Sequence, residues 1–188
     1  MVVLGIDPGT RRLGWGIVKK DGTRLVHIAH GVIVTDGDDP IAKRLVLIEH
    51  ELVGVVERYA PARASVEALF FAKDAQAAAK LGHARGVALL VCARAGMEVA
   101  EYPPARVKRT VAGAGRAEKA QVAQMVRALL GLVAVPPADA ADALAVAITC
   151  LQDSMLDIGR QIEKNPALSA LLRATRRGHI HRRRGSPV

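Results

Sequence analysis

The order of its short apolar runs and amphipathic patterns constrains the fold of this 188-residue chain more than any other feature. Residues 2–6 read as a buried strand, and the segments LGWGIVKK and RLVHIAHGVIV follow as two more, joined by the turn KDGT. Further on, strand patterns in RASVEALF and MEVAEY alternate with helical patterns. Those helices are predicted at 41–59, 75–95, in PPARVKRTVAG, at 118–130 and at 139–151. This order predicts an α/β protein with a mixed sheet of about five strands and helices on both faces.

The chain has no apolar run near the roughly 18 residues that a membrane-spanning helix needs. It runs directly into its first strand, without the basic and apolar pattern of a signal peptide. We therefore expect a soluble, cytoplasmic protein. The two cysteines, Cys92 and Cys150, lie in apolar helical patterns without metal-ligand spacing, which predicts buried free thiols.

Positive charge is concentrated in two parts of a chain whose formal net charge is +9. From Arg173 onward there are six arginines and no acids, and residues 102–135 hold six Lys and Arg against one acid. Such segments favour a polyanionic partner, of which DNA is the obvious candidate. A basic tail that merely aids solubility is the alternative, and an apolar face for membrane insertion is lacking.

Four acids occupy positions where an ordinary core would not place them. Asp7 ends the first strand and Glu67 ends the fourth, while Asp139 and Asp142 lie three residues apart at the start of the last helix. If the first and fourth strands are neighbours, all four carboxylates can meet at one rim of the sheet. Clustered carboxylates repel one another unless a cation neutralises them, and an all-oxygen set suits Mg²⁺ or Mn²⁺. Two such ions can activate water and stabilise the leaving oxygen of a phosphodiester.

Each acid also has a simpler explanation. Asp139 could cap the last helix, with Asp142 completing a capping box. Glu67 could be a solvated strand end, and Asp7 could start the turn DPGT. Capping and metal binding can coexist, and the four together favour the metal site.

Four segments carry a family resemblance: GIDPGTRRLGWG, VEALFFAKDAQAAAKLGHARGVAL, VKRTVAGAGRAEKAQVAQMV and ADAADALAVAI. In order and spacing they resemble the RuvC family of bacterial Holliday junction resolvases, the crossover junction endodeoxyribonucleases, and the similarity covers roughly residues 2–152. The resemblance implies a ribonuclease H-like fold and a homodimer. It also implies Mg²⁺- or Mn²⁺-dependent cutting of four-way DNA junctions in recombination and repair, with symmetric nicks that leave 5′-phosphate and 3′-hydroxyl ends.

The resemblance also implies roles for individual residues. The catalytic acids and metal ligands would be Asp7, Glu67, Asp139 and Asp142, with two ions in each active site. Lys119 and Lys108 match the family's basic positions near the scissile phosphate, and Lys119 is also predicted to be catalytic. The full set of predicted DNA-binding residues is Phe70, Lys73, Lys108, Arg109, Arg116 and Lys119. Phe70 would stack on an unpaired base, a contact worth roughly 1–3 kcal/mol.

The resemblance and the composition also divide the chain. Residues 1–153 are predicted to form the nuclease domain, and residues 154–188 a basic, flexible tail. The Ala- and Gly-rich helix at 75–95 is the candidate dimer interface, although a buried helix of a monomer would look similar. The branch-migration proteins RuvA and RuvB are implied as partners.

Three other functions share parts of these features. A non-catalytic DNA-binding protein could have this fold, but it would not need all four acids. A nuclease acting on RNA or an RNA–DNA hybrid could use the same metal cluster. The stretch GIDPGT is also similar to the first phosphate-binding motif of actin-like ATPases and sugar kinases. Those proteins have two lobes and a second glycine-rich phosphate turn, which this sequence lacks.

Overall fold

The computed structural model describes the backbone of residues 1–68 and 75–164 and the side chains of residues 1–68 and 78–153. The strands are β1 (Val2–Asp7), β2 (Arg12–Asp21), β3 (Arg24–Val34), β4 (Arg63–Glu67) and β5 (Glu98–Tyr102). The helices are α1 (Ile41–Tyr59), α2 (Ala75–Arg94), α3 (Pro104–Ala112), α4 (Lys119–Leu130) and α5 (Ala138–Lys164). Their order along the chain is the predicted one.

The strands in the described residues form one mixed sheet in the order β3-β2-β1-β4-β5. Neighbouring strands of the β1–β2–β3 meander are antiparallel, because short turns join them. By contrast, β4 lies parallel to β1, and β5 parallel to β4, with α1 and α2 as the crossover helices. This topology puts the C-terminal ends of β1 and β4 side by side at one edge of the sheet.

Helices cover both faces of the sheet, as predicted, and each face has its own apolar core. Side chains alternate along a strand, so Val3 of β1 packs with α3, α4 and α5. Its neighbour Leu4, and Ile6 two residues on, pack with α1 and α2 instead. Cys92 and Cys150 are buried in separate cores and are not joined by a disulfide, as the sequence predicted.

Three glycines in β1 and β2 let α5 lie directly on the sheet. A Cβ atom on Gly5 would overlap the carbonyl oxygen of Ala143, and one on Gly14 would overlap that of Asp139. Gly16 also faces α5 without room for a side chain. Because backbone meets backbone here, the start of α5 is fixed against the end of β1.

The last helix is longer than predicted. The sequence pattern placed its end near Leu151, whereas α5 continues to Lys164. The added residues include strong helix formers and no proline, and Met155, Ile158 and Ile162 continue the helical spacing of apolar residues. The chain divides into two units, residues 1–151 and residues 152–188. Among the described helices, none is both long and apolar enough to cross a membrane.

A β-bulge brings two histidines together on β3. The register between β2 and β3 shifts at Ile17 and Val18, so His27 and His30 share one face although they are three residues apart. His27 Nε2 and His30 Nδ1 lie 2.8 Å apart. One ring nitrogen must donate and the other accept, so this contact requires that one of the two nitrogens be protonated and the other not.

The histidine contact predicts an acid-sensitive contribution to stability. Partial burial lowers the pKa of both imidazoles below the ordinary 6.5, and His30 lowers the pKa of His27 further. A lowered folded-state pKa means that this stability is present above the ordinary value and is lost as the pH falls through the folded-state pKa. We expect the melting temperature of His27→Gln to fall less on acidification than that of the wild type. If the melting temperatures of the wild type and His27→Gln fall by the same amount between neutral pH and about pH 5, the histidine pair does not contribute to stability.

Candidate active site

Asp7 and Glu67 end neighbouring parallel strands and face the same side of the sheet. The last paired residues of β1 and β4 are Ile6 and Val66, both in the core beneath α1 and α2. The next residue of each strand therefore points to the opposite face, where α5 packs. The register thus puts the two carboxylates side by side.

The start of α5 brings the other two acids to the same place. Gly14 of β2 pairs with Asp7 of β1, and the backbone of Asp139 rests on Gly14. Asp142 lies three residues further along α5, on the same helix face. Asp139 lies within the first turn of α5, which begins at Ala138, and its carboxylate pairs with an arginine. The Asp139 carboxylate therefore accepts from a side chain, whereas the carboxylate of a helix cap accepts from backbone N–H groups of the first turn.

Both α5 acids are ion-paired. Arg12 donates from Nε to Asp139 Oδ2 over 2.6 Å, and Lys119 donates from Nζ to Asp142 Oδ2 over 2.9 Å. Arg12 begins β2 and Lys119 begins α4, so separate elements bring the two cations to the rim. The Asp142 contact also raises the pKa of Lys119, which keeps its ammonium protonated.

The remaining two acids have raised pKa values because their negative charges are unfavourable where they stand. Burial, together with the charges of Asp142, Glu67 and Asp139, raises the pKa of Asp7 from 3.8 to about 7. Burial and the charge of Asp142 likewise raise the pKa of Glu67. Lys119 partly offsets both effects. Asp7 therefore lies within electrostatic range of the other three carboxylates.

A cleft of about 200 Å³ opens beside the acids. Its lining includes the acids Glu67 and Asp142 and the lysines Lys108 and Lys119. The rest of its lining is Pro104, Val107 and Val122, from α3 and α4. A phosphate group in this cleft would meet carboxylates and ammonium groups at once.

The donor set fits a divalent cation, although the side chains are not arranged around one point. Within the described side chains, no group of three or more His, Cys, Asp or Glu residues is gathered closely enough to hold a metal. Asp139 pairs with Arg12 instead, and Asp142 pairs with Lys119. A dication bound among these oxygens would relieve the repulsion that raises the pKa of Asp7. Carboxylate oxygens are the ligands that Mg²⁺ and Mn²⁺ favour.

The other predicted site residues are distributed differently. Phe70 and Lys73 lie outside the described residues. Arg109 is exposed in the last turn of α3, and Arg116 is exposed in the loop before α4. Neither arginine lines the cleft beside the acids. Their assignment to DNA binding stays a prediction.

Sequence reasoning missed Arg12. It stands two residues before Gly14 and four before Gly16 on β2, so the period-two alternation of a strand places all three on the face that α5 covers. That alternation was legible in TRRLGWG, but the partner of Arg12 is 127 residues away in sequence. No local pattern could have shown that partner.

Comparisons with a family model and with known proteins point to the same family. Residues 3–150 match the family model described as crossover junction endodeoxyribonuclease RuvC. The protein of that name from Sorangium cellulosum is 62% identical over 151 residues, which cover 80% of this chain and 84% of the relative. The one from Ruegeria pomeroyi is 51% identical over 148 residues, covering 79% and 89%.

A solved structure agrees with these relatives. The RuvC of Thermus thermophilus, in complex with a Holliday junction substrate, superimposes with a TM-score of 0.79 at 38% identity. The match covers 84% of this chain and 96% of the Thermus chain. The ribonuclease H-like fold implied by the sequence resemblance is therefore confirmed.

Proposed function

The chain belongs to the RuvC family of crossover junction endodeoxyribonucleases, and we propose that it cuts four-way DNA junctions with the carboxylates at the Asp7 end of its sheet. As a member of that family it is a hydrolase that resolves Holliday junctions. The observation that carries the proposed site is the electrostatic coupling of Asp7 to Glu67, Asp139 and Asp142. All four lie inside the matched residues 3–150.

The proposed cofactor is Mg²⁺ or Mn²⁺, with two ions in each site. Asp7, Glu67, Asp139 and Asp142 would hold them. Bound there, the ions would supply a water nucleophile at neutral pH and neutralise charge on the phosphate. Water adds across the bond between phosphorus and the 3′ oxygen, so the products are a 5′-phosphate and a 3′-hydroxyl end.

The chain's own groups position the substrate. Asp7 is fixed by its strand, and the close contact between Gly14 and the backbone of Asp139 holds α5 against that strand. Lys108 and Lys119 line the cleft beside the acids, where they can bind the scissile phosphate. Lys119 is the better placed to stabilise the growing negative charge, because it already contacts Asp142.

A homodimer would place one such site on each of two opposing strands, which symmetric nicks require. The proposed interface is the exposed side of α2. Gly82, Gly86 and Leu90 recur every four residues, Leu90 is 46% exposed, and a Cβ on either glycine would meet open space. The opposite side of the helix, with Ala84 and Ala88, is buried in the core. Small residues on an exposed helix face permit close contact with a second helix.

Further proposals follow from the resemblance. Phe70, Lys73, Arg109 and Arg116 would contact the junction arms, with Phe70 stacking on an unpaired base. The basic residues of the segment 154–188 would add sequence-independent attraction to DNA. RuvA and RuvB would be the partners, and the cytoplasm the compartment.

Cleavage of a labelled synthetic four-way junction tests the function. We expect paired nicks in opposing strands with Mg²⁺ or Mn²⁺ and no cutting with a chelator. Linear duplex DNA and an RNA–DNA hybrid of the same sequence serve as substrate controls, and they should remain intact.

Two results would count against the proposal. Binding without cutting under every metal would support a DNA-binding protein that has lost catalysis. Preferred cutting of the hybrid would leave the metal site in place but change the substrate. Analysis of the ends would also detect a 3′-phosphate, which the proposed chemistry does not produce.

A further inference from the structure

We propose that Arg12 is the resident counter-ion of Asp139 and that it lowers the affinity of the site for its first divalent cation. This inference rests on the metal site proposed above. It concerns a residue that none of the sequence motifs singled out.

The contact between Arg12 and Asp139 is a short, charge-assisted hydrogen bond. Arg12 Nε donates to Asp139 Oδ2 over 2.6 Å, slightly shorter than the roughly 2.7–2.9 Å usual for such bonds. The Arg12 side chain is 50% exposed and that of Asp139 is 26% exposed. Asp139 cannot easily move away, since its own backbone rests on Gly14, two residues beyond Arg12. The ion pair is therefore placed by the packing of α5 on β2.

The same contact opposes a metal in two ways. A guanidinium bound to Asp139 Oδ2 uses electron pairs that a cation would need, and its positive charge repels a dication nearby. Lys119 has a similar effect at Asp142, but it also lines the cleft and can turn to the phosphate. Arg12 does not line that cleft. Its main effect in the protein without DNA should therefore be on cation affinity.

A purely structural role for Arg12 predicts the opposite result. If Arg12 served only to hold Asp139 in a metal-binding orientation, its removal would weaken binding. If it acts as a competing cation, its removal should strengthen binding, and Arg12→Lys should restore the wild-type affinity in part. The direction of the change thus separates the two roles.

The neighbouring Arg11 offers a charge-matched control. Arg11 and Arg12 are both exposed, but the Arg11 guanidinium packs against Gly37 in the loop after β3. No ion pair between Arg11 and Asp139 occurs in the described part of the chain. Arg11→Met and Arg12→Met therefore remove the same charge from adjacent positions and differ in the contact to Asp139.

Titration with Mn²⁺ tests the inference on the full chain without DNA. The electron paramagnetic resonance signal of free Mn²⁺ gives the bound fraction at low ionic strength. We expect Arg12→Met to bind Mn²⁺ about tenfold more tightly than the wild type, and Arg11→Met to stay within about twofold. Circular dichroism melting verifies the fold, and Arg12→Gln replaces the Met variant if that one does not fold.

The same titration of Asp7→Asn distinguishes a failure of the Arg12 proposal from a failure of the proposed metal site. If Asp7→Asn loses Mn²⁺ binding but Arg12→Met binds no more tightly than the wild type, the role of Arg12 is overturned and the metal site stands. If no variant binds Mn²⁺, or if Asp7→Asn binds as well as the wild type, the proposed metal site fails and the inference fails with it.

Discussion

Asp7→Asn should abolish junction cleavage while it stabilises the metal-free protein. Asparagine keeps the shape of the side chain but removes the negative charge at the end of β1. If Asp7 holds the catalytic ions, their contribution of several kcal/mol to transition-state stabilisation is lost, so cleavage should fall by about 10³-fold or more. Single-turnover cleavage of a labelled junction with Mg²⁺ measures the change.

The stabilisation follows from the raised pKa of Asp7. The folded protein has an Asp7 pKa of about 7, against an ordinary 3.8. A raised folded-state pKa means that stability is fully present below the ordinary value and is lost as the pH rises through the folded-state pKa. The wild type should therefore lose up to about 4 kcal/mol between these pH values, and the asparagine variant should not. Urea unfolding across this range, in the presence of chelator, measures the difference.

A matched control is Glu57→Gln, which neutralises an exposed acid on α1, on the other face of the sheet. This variant should cut normally, and its stability should differ little from that of the wild type. Added Mg²⁺ or Mn²⁺ should stabilise the wild type at alkaline pH and leave Asp7→Asn unchanged. Appreciable cleavage by Asp7→Asn would remove Asp7 from the mechanism.

Gly5→Ala should be strongly destabilising, although it adds one methyl group. The new Cβ atom would overlap the carbonyl oxygen of Ala143 and crowd Ala147, both on α5. Because the first obstacle is backbone, α5 must move away from β1 and lose contacts along both. Overpacking of a core usually costs roughly 1–3 kcal/mol, and we expect about 3 kcal/mol here. The melting temperature should then fall by roughly 10 °C.

The displacement of α5 should also reduce cleavage, because Asp139 and Asp142 lie on the helix that must move. Gly54→Ala is the matched control, since Gly54 lies inside α1 and a Cβ atom there would meet open space. That variant should be stabilised by about 0.5–1 kcal/mol through its higher helix propensity. A Gly5→Ala protein as stable as the wild type would show that α5 does not rest on β1 as closely as the structure indicates.

The fold was predictable because its signals are local. Strand alternation, helical periodicity and turn residues placed every element, and the KDGT turn set the β2–β3 hairpin. The bulge between Ile17 and Val18 was not predicted, because one extra residue in a strand leaves no clear trace in sequence. The end of α5 was placed too early, because its dense run of apolar residues ends at Leu151 and more polar residues follow.

The sequence predicted the four acids of the candidate site and the lysines Lys108 and Lys119, but not Arg12. Asp7 and Glu67 are acids at the ends of apolar strands, and Asp139 and Asp142 are acids at helical spacing at the start of an apolar helix. Each is an unusual residue type for its position, so the sequence alone identified it. Arg12 gave no such signal, because an arginine at the start of a strand is unremarkable until its partner is known.

By itself, the sequence determined the mixed sheet, the family and the four acids, because each is carried by residue type and short-range spacing. The tertiary structure decided which cations pair with Asp139 and Asp142. It set Asp139 on Gly14, paired it with Arg12, and placed Lys119 against Asp142. These contacts join residues far apart in the chain. Their geometry depends on how closely α5 approaches the sheet, and that distance is fixed by packing rather than by any local pattern.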